Sequence, residues 1–199
     1  YTFRVIAFDV AGNVSPNEVT ADVTTTIDQT VPASSLFSVP ALTTDETLSL
    51  FWTGSDAGGG FEVASYTVFV SENGGAFSPL LADTTLTSTS FDLEDGKSYG
   101  FYVVAKDGAG NVEAKQAVAE RTIRSDRTAP NSAIEPLPLV SNAEHVQLTW
   151  GGSDATSGVS IYDVFVSENG GAPSLFWAGT AATSATFPGE DGKSYSFFT

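Results

Sequence analysis

The sequence repeats itself, and this internal repeat restricts the folds that the chain can adopt. Residues 1–14 return 98 positions later as residues 99–112, with nine identities in fourteen. Residues 71–103 return 96 positions later as residues 167–199, with nineteen identities in thirty-three. The chain therefore contains three copies of one unit, and we expect only the middle copy to be whole.

Within each copy, apolar residues alternate with variable ones, which is typical of β-strands. Tyr99, Phe101, Val103 and Ala105 form one face of such a strand, and the first copy has the same residue types at the same places. Further strands are predicted at about residues 47–53, 65–71, 86–93 and 116–123. Both Glu-Asn-Gly-Gly segments, which begin at 72 and 168, predict hairpin turns, because Asn and Gly accept positive φ at low cost. The pattern predicts an all-β chain of tandem Greek-key β-sandwiches, with about seven strands in each repeat.

Two Asp-x-Thr-x-Pro linkers, at 28–32 and 126–130, mark the repeat boundaries. We predict that residues 1–28 are the last two strands of a truncated repeat and that 29–126 form a complete one. Residues 127–199 are then a repeat that lacks the end of strand six and strand seven. Either the chain is a window from a long covalent array, or the N-terminal segment of one copy adds strands to the C-terminal repeat of the next and builds a fibre.

Several motifs resemble the fibronectin type III fold. Trp52 lies on the second predicted strand, Tyr66 opens the third, and Leu93-x-x-Gly-Lys-Ser-Tyr precedes a Phe-x-Val-x-Ala strand. The resemblance implies that Trp52 and Trp150 fill the centre of each core. It also implies that Tyr99 and Tyr195 form tyrosine corners, whose hydroxyls bond back to the preceding loop.

The Asp-x-Ala-Gly-Asn turns at 9–13 and 107–111 point to one group of such repeats. Together with the linkers, they are similar to the tandem fibronectin type III-like (bacterial immunoglobulin-like) repeats of large bacterial or archaeal extracellular proteins. The resemblance implies an extracellular or cell-surface location, with neighbouring repeats in contact end to end.

Charge and cysteine content exclude several functions. The chain has 24 acidic residues against 8 Lys and Arg, a net charge of −16 and no Cys. Binding to nucleic acid requires clustered cations, as does binding to anionic membranes, so neither is expected. Disulfides, thiolate zinc sites and cysteine nucleophiles are excluded. Because no run of about 18 apolar residues is present, we expect no membrane insertion in this window.

Enzymatic activity is not expected. His145 is the single histidine; it precedes a predicted strand and has no counterpart in the middle repeat. The paired acids Glu94-Asp95 and Glu190-Asp191 recur in a turn, where a solvated structural role is favoured over acid–base catalysis.

A calcium site is the most specific chemical hypothesis. The resemblance implies that the incoming linker and two loops meet at one end of each repeat, where their carboxylate and amide oxygens suit Ca²⁺. The alternative is that these acids cap turn amides. The candidate ligands are Asp28, Asp56, Asp107 and Asn111 in the middle repeat, with Asp9, Asn13, Asp126 and Asp154 as their equivalents.

Outward-facing aromatic residues are the remaining candidates. Phe69 is expected beside Tyr102 on the outer face of a sheet, and Phe165 beside Phe198 in the third copy. Such pairs either steady the sheet or stack on sugar rings. The Phe176-Trp177 pair, which replaces two leucines, is either a packing change or a carbohydrate-binding spot.

Two functions therefore remain open, both of them non-enzymatic. The first is a structural spacer, stalk or filament segment of an extracellular adhesin or fibre, stiffened by calcium at the junctions between repeats. The second is an accessory or carbohydrate-binding module of a secreted polysaccharide-acting enzyme.

Overall fold

A computed structural model of the chain describes residues 2–3, 5–16, 23–57 and 61–199. Within these ranges the secondary structure consists of strands, isolated bridges, turns and bends, without a helix. Correspondingly, this part of the chain holds no apolar helix of membrane-spanning length. The all-β prediction is confirmed.

The strands are short and follow one another along the chain. In chain order, they are β1 (Thr2–Phe3), β2 (Val23–Thr24), β3 (Ala33–Leu36), β4 (Leu42–Thr43), β5 (Thr47–Ser55), β6 (Val63–Glu72), β7 (Ser78–Thr84), β8 (Ser88–Asp92), β9 (Ser98–Asp107), β10 (Arg121–Ser125), β11 (Asn131–Ile134), β12 (His145–Ser153), β13 (Tyr162–Glu168), β14 (Ser174–Thr180), β15 (Ser184–Pro188) and β16 (Tyr195–Phe198).

The chain divides into two compact units. The first comprises Tyr1–Ala41, Glu46–Leu93 and Lys97–Arg124, and the second comprises Leu42–Asp45, Glu94–Gly96 and Ser125–Thr199. The repeat boundaries at residues 28 and 126 rest on the sequence period and stay a prediction.

The middle repeat forms a β-sandwich within the first unit. One sheet has the strand order β3-β5-β8, and the other contains the order β10-β9-β6-β7. These neighbours pair in antiparallel fashion. The pairing of β6 with β9 joins strands that are distant in sequence, as expected of a Greek-key sandwich.

Trp52 lies at the centre of this sandwich. Because β5 alternates between exposed and buried residues, Leu50 and Trp52 share its inner face, with 0% and 2% of their surfaces exposed. Phe101 and Val103 of β9 are fully buried in the same core. The Trp52 ring meets Tyr66 edge-on, with the ring centroids 6.3 Å apart. The predicted role of Trp52 as the central core residue is confirmed.

The second unit repeats this arrangement around Trp150. Its sheets have the orders β11-β12-β15 and β14-β13-β16. Leu148, Trp150 and Val164 are buried in its core. The Tyr195 hydroxyl accepts a hydrogen bond from the backbone N–H of Glu190 at 3.2 Å. This bond back to the preceding loop is the one expected of a tyrosine corner.

The predicted hairpin turns are present in both units. Asn73 and Gly74 have φ values of 49° and 72°, and Asn169 and Gly170 repeat the same two values. Asn and Gly tolerate this left-handed conformation better than other residues, which explains why both turns use the same sequence.

One strand begins later than its sequence indicates. A strand was expected at 116–123, but β10 starts at Arg121. The residues before β10 reach β3 through side chains, and the Glu120 carboxylate accepts a hydrogen bond from Leu36 N at 2.8 Å. Charged side chains thus take the place of a backbone ladder along this edge.

We expect Leu50→Ala to lower the free energy of unfolding by about 2–5 kcal/mol, because it leaves a cavity beside Trp52. Its neighbour Phe51 is 52% exposed, so Phe51→Ala should change stability by less than about 1 kcal/mol. Urea unfolding of the whole chain, followed by tryptophan fluorescence, measures both values. Equal losses would contradict the assignment of the two faces of β5.

Candidate functional site

Three carboxylates converge at one end of the middle repeat. Asp56 follows the last residue of β5, Asp107 ends β9, and Asp28 lies in the segment before β3. One carboxylate oxygen from each lies within 4.8 Å of the others. Asp107 is buried, whereas Asp28 and Asp56 are partly buried. In the part of the chain that the structure describes, this is the one cluster of three or more potential metal ligands.

The strand register explains this convergence. Ala33 at the start of β3 pairs with Ser55 at the end of β5, and Val63 at the start of β6 pairs with Asp107. The end of β5, the start of β6 and the end of β9 therefore reach the same edge of the sandwich. The segment that carries Asp28 approaches this edge before β3.

Asp107 is held in place by a tight turn. Its Oδ1 accepts hydrogen bonds from Gly110 N at 2.7 Å and from Asn111 N at 2.8 Å, and its Oδ2 accepts one from Asn111 Nδ2 at 2.8 Å. Gly110 has φ 97°, which a residue with a side chain rarely adopts. Asn111 Nδ2 also donates to the carbonyl oxygen of Asp28 at 3.2 Å. The structure thus brings together the four candidate ligands of the middle repeat.

These bonds keep Asp107 ionised. Burial raises the pKa of the Asp107 carboxyl, but the hydrogen bonds from Asn111 and Gly110 outweigh it and leave the pKa below its ordinary value of 3.8. The site therefore holds a buried negative charge next to two further carboxylates. Like charges at this spacing repel each other in a partly desolvated site.

The two carboxylate oxygens of Asp28 differ in their hydrogen bonding. Asp28 Oδ1 accepts a hydrogen bond from Thr30 N at 2.9 Å. Asp28 Oδ2 is fully buried, and none of the described residues donates to it. A buried carboxylate oxygen without a partner is costly, and a hard cation would satisfy it.

The equivalent residues of the other copies lie outside this cluster. In the first copy, Asp9 and Asn13 form the same turn, with Asn13 N 2.7 Å from Asp9 Oδ1 and Asn13 Nδ2 2.6 Å from Asp9 Oδ2. Asp126 Oδ1 accepts from Thr128 N at 3.2 Å, as Asp28 does from Thr30. Asp154 Oδ1 accepts three backbone N–H groups of its own loop. In the described ranges, each of these acids has a local turn role.

The residues considered for catalysis are dispersed. His145 is exposed at the first residue of β12. Asp95 accepts hydrogen bonds from Arg127 N at 2.7 Å and Thr128 Oγ1 at 2.8 Å. Glu190 forms an ion pair with Lys193 at 2.7 Å. Glu190 therefore pairs within its own turn, whereas Asp95 binds the segment that follows β10.

The outer aromatic pair of the middle repeat is covered. Phe69 and Tyr102 pair across β6 and β9, and their rings stack with centroids 4.5 Å apart and planes 4° apart. Phe77 packs edge-on against Tyr102, and Tyr102 is only 7% exposed. Phe69 and Tyr102 thus lie side by side as predicted, and the contact with Phe77 favours the alternative in which the pair steadies the sheet.

The aromatic residues of the third copy are more open. Phe165 pairs with Phe198, which is 46% exposed. Phe176 packs against Phe187 in the core, with their ring centroids 5.3 Å apart. Trp177 is 40% exposed, and its ring meets buried Trp150 edge-on at 6.3 Å. Much of the Phe176-Trp177 pair therefore packs inward.

A charged cluster formed by Glu113, Lys115 and Glu120 was missed by the sequence reasoning. These side chains contact one another and β3. The sequence does hold a sign of this cluster, because Glu113 and Lys115 precede residues 116–119 and Glu120 follows them. Residues 116–119 are the first half of the strand predicted at 116–123.

We expect the chain, in the presence of a chelator, to lose stability as the pH falls through the pKa of Asp107. The folded pKa lies below 3.8, so this contribution is complete above the unfolded value and is lost at lower pH. Asp107→Asn should flatten this part of the pH dependence, whereas Asp92→Asn, a change at an exposed carboxylate, should leave it intact. Urea unfolding at successive pH values measures both; equal curves for the two variants would contradict the assignment.

No protein-family model matches the chain. Exoglucanase B of Cellulomonas fimi is 34% identical over 203 residues, an alignment that covers 94% of this chain and 18% of that protein. Chitinase A1 of Niallia circulans is 33% identical over 134 residues, which cover 65% of this chain and 18% of that protein. Exoglucanase A of Cellulomonas fimi is 37% identical over 127 residues, which cover 61% of this chain and 14% of that protein. The chain thus spans less than a fifth of the length of these relatives.

Among solved structures, the chain is similar to the fibronectin(III)-like modules of CbhA from Clostridium thermocellum. The identity is 14%, the TM-score is 0.35, and 83% of this chain and 84% of that chain are covered. In the chain itself, the strand orders of both units and the internal repeat agree with one another. The chain is therefore an array of tandem all-β sandwich repeats.

Proposed function

We propose that the chain is a non-catalytic spacer in an extracellular enzyme that acts on polysaccharides. The observation that carries this proposal is the alignment of 94% of the chain with 18% of an exoglucanase. A chitinase aligns in the same manner over 18% of its length. A module that recurs as a minor part of enzymes with different substrates is better explained by a shared architectural role than by catalysis.

The geometry of the middle repeat supports a spacer role. The segment before β3 enters the sandwich at the edge that holds Asp56 and Asp107. β10 pairs Arg124 with Ser98 at the other end of β9, so the chain leaves at the opposite edge. β9 has ten residues, which corresponds to a length of about 33 Å. The points at which the chain enters and leaves the middle repeat are therefore about this far apart.

An adhesin stalk or filament is the second candidate. The similar offsets of 98 and 96 residues and the turns that recur in two copies favour a spacer in either setting, because recurring features serve architecture rather than one ligand. The relatives favour the enzyme. Carbohydrate contact, if present, is best sought at Trp177, which is partly exposed and stands where the middle repeat has Leu81.

The parent protein tests this proposal. We expect an antibody raised against the chain to detect, in culture fluid of the producing organism, a longer protein that clears cellulose or chitin in an activity gel. The isolated 199-residue chain should clear neither. Pull-down of the chain and of Trp177→Ala on both polysaccharides shows whether the module also binds the substrate. A parent protein confined to the cell envelope and without hydrolase activity would instead identify an adhesin or fibre.

We also propose that Asp28, Asp56 and Asp107 bind Ca²⁺, with oxygen atoms of the surrounding loops completing the coordination. Support comes from the 4.8 Å spacing of the carboxylates and from the buried Oδ2 of Asp28, which no described residue satisfies. Calcium takes six to eight oxygen ligands, and carboxylates are its usual protein ligands. Asn111 orients the site by holding both the Asp107 carboxylate and the Asp28 carbonyl.

A cation at this place would join the segment before β3 to the ends of β5 and β9. The bound segment loses conformational freedom, so the direction in which the chain approaches the sandwich becomes fixed. The site would therefore stiffen the linker that precedes the middle repeat, which agrees with a spacer role.

We expect millimolar Ca²⁺ to raise the melting temperature of the chain relative to EDTA. A ligand at a hundredfold excess over its Kd stabilises the folded state by about 2.7 kcal/mol. Asp28→Asn should remove the calcium response. Asp9→Asn alters an acid of the same turn type outside the cluster and should keep the response. Superimposable melting curves of the unsubstituted chain in Ca²⁺ and EDTA would overturn this proposal without affecting the spacer role.

A further inference from the structure

Glu113, Lys115 and Glu120 form a largely buried charged cluster in the middle repeat. Lys115 Nζ lies 2.7 Å from Glu120 Oε1 and 3.3 Å from Glu113 Oε1. The side chains of Lys115, Glu113 and Glu120 are 22%, 10% and 18% exposed. Charges at this depth must be paired, and one lysine between two glutamates provides the pairing.

The cluster binds the edge strand β3. Glu113 Oε1 accepts a hydrogen bond from Ser34 N at 2.9 Å, and Glu120 Oε2 accepts one from Leu36 N at 2.8 Å. Lys115 Nζ donates to the carbonyl oxygen of Ser34 at 2.6 Å. β3 lies at the edge of its sheet, so these side chains supply partners for backbone groups that point away from β5.

The same cluster binds β9 in the other sheet. Glu113 Oε2 accepts a hydrogen bond from Ala105 N at 3.1 Å, and Glu120 Oε1 accepts one from Val103 N at 3.3 Å. Lys115 Nζ donates to the carbonyl oxygen of Val103 at 2.9 Å. Three side chains therefore join β3, the edge strand of one sheet, to the part of β9 that lies beyond its pairing with β10 in the other sheet.

The strand directions determine how tension acts on this cluster. β3 starts beside the end of β5, where Ala33 pairs with Ser55. β10 ends beside the start of β9, where Arg124 pairs with Ser98. A pull along the chain therefore draws β3 and β10 towards opposite ends of the sandwich. The cluster bonds lie across this direction and are loaded together rather than one after another.

We infer that the Glu113–Lys115–Glu120 cluster gives the middle repeat its resistance to stretching. The inference rests on the proposed spacer function, in which tension passes along the chain. Under load, β3 leaves the sandwich only after the charge-assisted bonds to both glutamates and to Lys115 break, and such bonds are stronger than neutral ones.

The first copy has no lysine at the position of Lys115. In the first copy, Ser15 and Asn17 stand 98 positions before Glu113 and Lys115. The Ser15 hydroxyl accepts a hydrogen bond from Ala7 N at 3.1 Å and so reproduces one bond of the cluster without its charges. Repeats with the same fold are therefore expected to differ in the force at which they unfold.

Single-molecule stretching of the whole chain tests this inference. The chain has no Cys, so one cysteine added at each end gives defined attachment points. Unfolding of the middle repeat is recognised by a length gain of roughly 300 Å, from about 3.5 Å per residue. We expect Lys115→Met to raise its unfolding rate at a given force about tenfold, the change that a barrier lower by about 1.4 kcal/mol produces.

Lys106→Met is the matched control, because Lys106 lies on β9, the strand that Lys115 contacts, but pairs with exposed Asp83 at 3.8 Å. It should leave the unfolding rate under force unchanged. Unfolding rates are also measured in urea, without force, to detect a general loss of stability. Lys115→Met should raise the unfolding rate by a larger factor under force than in urea. An equal or smaller effect under force would overturn the inference.

If Lys115→Met does not fold, the same comparison of unfolding rates is made with Glu120→Gln. The activity gel of the parent protein tests the spacer role independently.

Discussion

Burial of one apolar face from each sheet is the interaction on which the rest of the middle repeat depends. β5 and β9 contribute alternate residues to this core, and Trp52 occupies its centre. Full burial of one large apolar side chain is worth about 1.5–3 kcal/mol, which exceeds any single surface contact. Because the alternation fixes which residues point inward, it also fixes the register of the strands. The register in turn decides which loops meet at the end of the sandwich.

The candidate calcium site and the charged cluster are both consequences of that register. Asp56 and Asp107 meet because the strands that carry them end at the same edge. Lys115 reaches Ser34 and Val103 because β3 of one sheet lies close to the part of β9 in the other sheet that β10 leaves unpaired. In the proposed spacer, a cation at the first would order the chain before the sandwich, and the second would hold the first strand. A spacer needs both properties, a defined direction and resistance to extension.

The sequence predicted the fold more fully than the site. The strands, the Asn-Gly turns and the position of Trp52 follow from local patterns, namely the alternation of apolar residues and the φ preferences of Asn and Gly. The start of β10 was misjudged, because the side chains of Glu113 and Glu120 compete with backbone pairing through contacts with β3, far away in sequence. The covering of Tyr102 by Phe77 depends on a loop path that no periodicity encodes. The convergence of Asp28, Asp56 and Asp107 was accessible only through the resemblance to a known topology.

The Asp-x-Ala-Gly-Asn turn has a consequence for the folding of neighbouring repeats. Its hydrogen bonds connect residues no more than four apart, and the exposed copy at Asp9 and Asn13 makes nearly the same bonds as the buried one. Contacts of such short range form early, before distant strands meet. Similar repeats in one chain risk exchanging strands with each other. A turn that closes on itself commits the two strands beside it to the same repeat and so lowers that risk.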